Sequence, residues 1–145
     1  MTSTNASYGV TILRVVTGAV FLAHGLQKLL MFGLPGTAGF LGSVGIPAAE
    51  LMAPLLIALE VGGGLALILG LFTRYVGVAL ALNMLVALLT VHISKGFFVA
   101  DGGYELVLLL GAASLALTFL GSGALALDTL LPRRETTAAR VAQRA

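Results

Sequence analysis

No cysteine occurs among the 145 residues. Disulfides, thiolate metal sites, iron–sulfur clusters and thiol redox couples are therefore excluded for this chain, and any redox chemistry has to come from a bound cofactor or a partner. Charge is nearly as scarce: 10% of the residues are Asp, Glu, Lys or Arg, against about a quarter in ordinary soluble domains. With 59% apolar residues and a mean hydropathy of +1.07, a water-soluble globule is excluded and a membrane protein is expected. The histidines and carboxylates also lack the tight mutual spacing that a metal site uses, so no metal is predicted.

What is present is apolar sequence sufficient for about four spans of roughly 20 residues, with little left over for a soluble domain. The expected fold is all-α, an integral membrane four-helix bundle forming a single domain over 1–145. Its spans fall at about 8–31, 47–70, 74–93 and 103–121, and a short basic tail follows at 132–145. The opening "MTSTNASYGVTILR" lacks the basic start and early cleavage site of a signal peptide, so the first span is expected to be retained. The glycine- and proline-rich "FGLPGTAGFLGSVGIP" reads as a first external connection rather than as helix, and "SKGFFVADGGYE" as a second. Thr73 is placed to cap the third span and Asp101 the fourth, while Pro47 opens the second span and Pro54 bends it.

Arg14, Arg74 and the tail residues Arg133, Arg134, Arg140 and Arg144 fall on one side of this topology, against Lys28 and Lys95 on the other. The positive-inside rule then puts both termini in the cytoplasm. The net charge of +2 is concentrated in a tail that reads as an anchor on anionic lipid, and no nucleic-acid partner is expected.

The rise of about 1.5 Å per residue converts sequence position into depth and brings Glu60 and Asn83 near the bilayer middle. A charged carboxylate there costs at least about 2.5 to 3.5 kcal/mol, so Glu60 should face the bundle interior and be either protonated or paired, with Asn83 or a backbone carbonyl as partner. Glu60 is the first candidate catalytic residue. On the first span Arg14, Thr17, Gly18, Phe21, His24, Gly25 and Lys28 recur every three or four residues and share one face, expected to be interior. His24 is the second catalytic candidate, because an imidazole titrates near neutrality and can donate to a quinone oxygen, relay a proton or ligate haem. His24, Lys28, Glu60, Asn83, His92 and Glu105 form the expected ligand-binding set in the outer half, although Lys28 and Lys95 also read as snorkelling anchors at the boundary. His92 lies at nearly the depth of His24, which makes a bis-histidine haem conceivable, but two histidines near one surface are thin ground and haem is disfavoured. Asp128 returns to the level of Arg14, and a structural ion pair between them is expected.

Four stretches carry a resemblance: "RVVTGAVFLAHGLQKL", "LEVGGGLALILGLFTR", "DGGYELVLLL" and "GSGALALD". In this order and on these spans, over about 8–130, the chain resembles the DoxX family of small four-helix membrane proteins. The matching positions are Arg14, Gly18, His24, Gly25, Lys28, Glu60, Gly63, Gly70, Arg74, Gly103, Glu105, Gly121, Gly123 and Asp128. The resemblance implies the four-helix bundle and a link to oxidoreductase systems, since the family includes a small subunit of a thiosulfate:quinone oxidoreductase or terminal quinol oxidase and members that associate with redox or detoxification partners. It transfers fold better than function.

The leading expectation is a membrane subunit of an oxidoreductase system in a bacterial cytoplasmic membrane. It would bind a quinone-like apolar ligand in the outer half of the bundle and work with a soluble or membrane redox partner rather than as a complete enzyme. The alternatives are a non-catalytic membrane scaffold or assembly partner and, third, a small proton-coupled transporter. Glycine-rich faces also permit a homo-oligomer.

Overall fold

The computed structural model describes residues 2–130, and the basic tail expected at 132–145 lies outside them. Among the described residues the architecture is all-helical: α1 (Thr2–Gln27), a π turn (Lys28–Phe32), α2 (Gly33–Ser43), α3 (Ala49–Leu69), α4 (Thr73–Ala87), a second π turn (Leu88–His92) and α5 (Glu105–Leu120). Short 3-10 segments at Ile93–Lys95, Val99–Asp101 and Leu127–Leu130 complete the connections. Thr4–Ser43, Ala49–Leu69 and Thr73–Lys95 are long and apolar enough to cross a membrane. Helix α5, with 16 residues, is about 24 Å long, and exposed Phe97, Phe98, Leu125 and Leu127 extend its apolar length at the two ends. The chain is an integral membrane helical bundle.

Each span buries one stripe at helical spacing: Arg14, Thr17, Gly18, Phe21 and Gly25 on α1, Ala53, Ile57, Glu60, Gly63 and Gly64 on α3, Thr73, Gly77, Leu80 and Met84 on α4, and Leu110, Ser114 and Leu117 on α5. The opposite faces carry exposed leucine, valine and phenylalanine, as expected where lipid and not water is the solvent. Burying apolar surface supplies little drive for such helices to associate, so close packing between small residues does much of the work. A methyl group at Gly18 would lie 2.6 Å from the Gly64 carbonyl oxygen, and one at Gly64 would lie 2.6 Å from the Leu22 amide nitrogen. Backbone therefore meets backbone between α1 and α3. Gly77 does the same for α4 against α5, where its missing Cβ leaves room for the Ser114 carbonyl.

The stretch expected to be a loop is largely α2. Gly33, with φ of 66°, breaks the helical path after the first π turn, and Pro35 then sits in the first turn of the new helix, where its missing N–H removes nothing. Thr37 and Leu41, one turn apart, are buried by this helix, which packs against α3. Glycine misled the sequence reading because it breaks soluble helices but is common in membrane ones.

The connections are also held differently from expectation. Thr73 makes no side-chain cap. Instead Asp128 accepts hydrogen bonds from the amides of Phe72 (2.8 Å) and Thr73 (3.3 Å), while its own amide donates to the Gly70 carbonyl at 2.9 Å. Asp101 caps nothing at α5. The carboxylate of Glu105 instead turns back to accept from the Val99 amide at 2.7 Å. At α4 a side chain distant in sequence thus satisfies helix-end amides that the local Thr73 was expected to serve.

Candidate functional site

At the end of the bundle marked by Arg14, the guanidinium is fully buried and is held by main-chain oxygens. It donates to the carbonyls of Leu67, Ile68 (2.9 Å) and Leu125 (3.2 Å). Arg14 and Asp128 therefore act on the same seam through backbone groups. Among the described residues the one salt bridge joins Lys28 to Glu60, so the direct Arg14–Asp128 pair is not formed. Leu125 and Phe72, which these two side chains hold, have the left-handed φ values of 52° and 50°. Such residues persist where their surroundings fix them.

The second polar cluster is built around Glu60. Its position on the buried stripe of α3 turns the carboxylate inward, and it is 3% exposed. Gly25 lies against it on α1: a methyl group there would be 2.9 Å from the Glu60 Cβ, so only glycine allows this approach. One turn further along, Lys28 opens the π turn and its Nζ donates to Glu60 Oε2 at 2.6 Å. From α4, Asn83 Nδ2 donates to Oε1 at 3.3 Å. Both carboxylate oxygens are thus engaged, each by a different span. This satisfies a buried charge where low dielectric makes an unpaired one costly.

Glu60, Lys28 and Asn83 are brought together, and Lys28 is a partner of the carboxylate rather than a free boundary anchor. The other expected ligand contacts lie elsewhere. His24 is exposed, and its Nδ1 donates to the Val20 carbonyl of its own helix at 2.9 Å. It is the one member of the predicted interior stripe that turns out of the bundle, beside exposed Gln27. His92 Nδ1 donates to the Gly102 carbonyl at 2.6 Å and fastens the connection before α5, the same connection that Glu105 holds. Neither joins the Glu60 cluster.

Beside Lys28 opens a cavity of about 510 Å³, lined by Lys28, Phe32, Gly36, Thr37, Phe40 and Leu56. Apart from Lys28 and Thr37 its walls are apolar, a composition suited to a lipophilic ligand with a few polar atoms. The sequence reading missed Phe32, Gly36, Thr37 and Phe40 because it placed them in a loop. The spacing of Phe32, Gly36 and Phe40, four residues apart, was the available signal of a helical face.

Residues 9–93 match the DoxX family. The chain belongs to the DoxX family. It is 43% identical over 120 residues to Bacillus subtilis CatD, provisionally named an oxidoreductase, covering 83% of this chain and 84% of that protein. It is 30% identical over 126 residues to the Escherichia coli inner membrane protein YqjF, covering 87% of this chain and 94% of YqjF. An uncharacterized membrane protein of Mycobacterium tuberculosis is 32% identical over 136 residues, covering 86% and 82% of the two chains. No solved structure matches. Within this DoxX-family chain, the positions that carried the resemblance divide between the two ends. Arg14, Gly18, Gly70 and Asp128 build the seam, whereas Gly25, Lys28 and Glu60 build the cluster.

Proposed function

We infer that this protein is a membrane subunit of an oxidoreductase system that takes a quinone-like lipophilic ligand beside the Lys28–Glu60–Asn83 cluster. Its membrane is then the bacterial cytoplasmic membrane, with both termini on the cytoplasmic side. The observation that carries the reading is a buried, doubly bonded carboxylate whose lysine partner also lines an apolar cavity. The CatD name supports the oxidoreductase assignment. YqjF and the mycobacterial protein, both named as membrane proteins of bacteria, support the location.

A bound quinone would supply the two-electron chemistry that a chain without cysteine cannot. The residues then have distinct tasks. Lys28 Nζ is a donor-only group, suited to a carbonyl oxygen, and Glu60 Oε2 holds it at the cavity edge. Asn83 fixes the second carboxylate oxygen, so that Glu60 can hold or release a proton without losing its position. Phe32, Phe40 and Leu56 exclude water and grip an apolar ring. Electrons come from a partner oxidoreductase.

The test is mass spectrometry of lipids and ligands extracted from gently solubilised protein, together with thermal stabilisation by added benzoquinones. A co-purified quinone, or a dose-dependent rise in melting midpoint, supports the assignment. No bound quinone and no stabilisation overturns it.

A second reading, an assembly partner without chemistry of its own, is favoured by one observation: His24 and Gln27 present polar groups on an exposed face of α1. A stoichiometric partner that is lost on His24→Leu, and retained with full activity on Glu60→Gln, would decide for it.

A further inference from the structure

Thr37 is 3% exposed, and its Oγ1 is shielded with no hydrogen-bond partner. Buried hydroxyls are normally bonded, because one left unpaired gives up its water without recompense. Thr73 and Ser114 share this condition, but of the three Thr37 is the one on the wall of the Lys28 cavity. Next to it Gly36 presents bare backbone, where an added methyl group would meet only the Cβ of Phe32 at 3.4 Å. Phe32 and Phe40 flank this wall and are 55% and 50% exposed on the outside of the bundle. A ligand therefore enters sideways from the hydrocarbon, and a flat ring can lie against the glycine between the two aromatic side chains.

Lys28 can only donate, and one of its three N–H groups is taken by Glu60. The Thr37 hydroxyl can donate to a carbonyl and equally accept from a phenol. It is the group on this wall able to match a ligand that interconverts between those two forms. We propose that Thr37 contacts the ligand and orients a lipophilic carbonyl- or phenol-bearing ring in the cavity between α2 and α3. This rests on the quinone reading above and adds to it the contact that recognises oxidised and reduced ligand alike.

The test compares wild-type protein with Thr37→Val, which keeps the shape and removes the hydroxyl, and Thr37→Ser, which restores it. Each is reconstituted in lipid nanodiscs and titrated with a decyl-substituted benzoquinone and with its quinol, the readouts being the ligand-free melting midpoint and the concentration dependence of its shift. Thr37→Val should melt no lower than wild type without ligand and bind both forms about tenfold more weakly, the loss of one neutral hydrogen bond. Thr37→Ser should bind as wild type does. If Thr37→Val binds both forms like wild type, or melts well below it without ligand, the assignment to Thr37 is overturned while the quinone reading stands. If wild type binds neither form, both fall together.

Discussion

The first span carries two cations bonded to oxygen acceptors, Arg14 and Lys28, yet their surroundings are built on opposite plans. Arg14 is enclosed by carbonyl groups of α3 and the C-terminal segment, with Gly18 and Gly64 bringing the backbones together just beyond it. Lys28 has one acidic partner, keeps a side chain 22% exposed, and borders a cavity. The arginine's fixed fork satisfies several acceptors at once and locks them. The lysine is a point charge on a flexible stem that can move with its surroundings. One end therefore holds the fold, and the other has the freedom a binding site needs.

That contrast can be broken at several points. The largest effect is expected from Gly64→Leu, which forces side-chain atoms into the α1 backbone 2.6 Å away. Overpacking of this kind costs about 3 kcal/mol or more where neither backbone can retreat, and size-exclusion of detergent extracts should show little folded monodisperse protein. Arg14→Met comes next, because it strips three carbonyls of their donor and frees the left-handed Leu125. A loss of about 2 to 3 kcal/mol is expected, seen as a lower melting midpoint, while the benzoquinone-induced shift of the protein that remains folded is unchanged.

Glu60→Gln should give the inverse pattern. The amide keeps the shape and can still meet Asn83, and the partly exposed Lys28 can swing outward, so the midpoint should fall by about 1 kcal/mol equivalent or less. The benzoquinone-induced shift should nevertheless be lost. If Glu60→Gln destabilises as much as Arg14→Met and leaves ligand binding intact, the division of labour between the two ends is wrong. The smallest effect belongs to His24→Leu, which removes only a bond within its own helix. The midpoint should stay within about 0.5 kcal/mol of wild type and the response to benzoquinone should not change. Loss of that response would return His24 to the site.

Much of the fold was legible because a membrane leaves few choices. Apolar length fixes the spans, and a buried carboxylate at mid-span has to find partners. Glu60 and Asn83 were legible for that reason. Lys28 was harder to place: a lysine near a helix end usually reaches for the interface, and nothing local says that a π turn will aim it at Glu60 instead. His24 shows the opposite error. Its three- and four-residue spacing from Phe21 and Lys28 put it on the inner stripe, but the stripe is narrow and Gly25 takes the interior position beside Glu60. The cavity wall was lost altogether, since glycine and proline in "FGLPGTAGFLG" signal a loop in water and are compatible with helix in lipid.

Composition and periodicity alone determined that this chain is a bundle of membrane helices, that it brings no thiol chemistry, and that the Glu60 carboxylate turns inward. These follow from solvation, which acts on each segment separately. Which cation meets that charge, which acid caps α4, and whether α2 is a helix that walls a cavity were decided only when the segments packed. Each depends on atoms from helices far apart in sequence arriving within 3 Å or so of one another, and no periodicity within a single helix encodes that meeting.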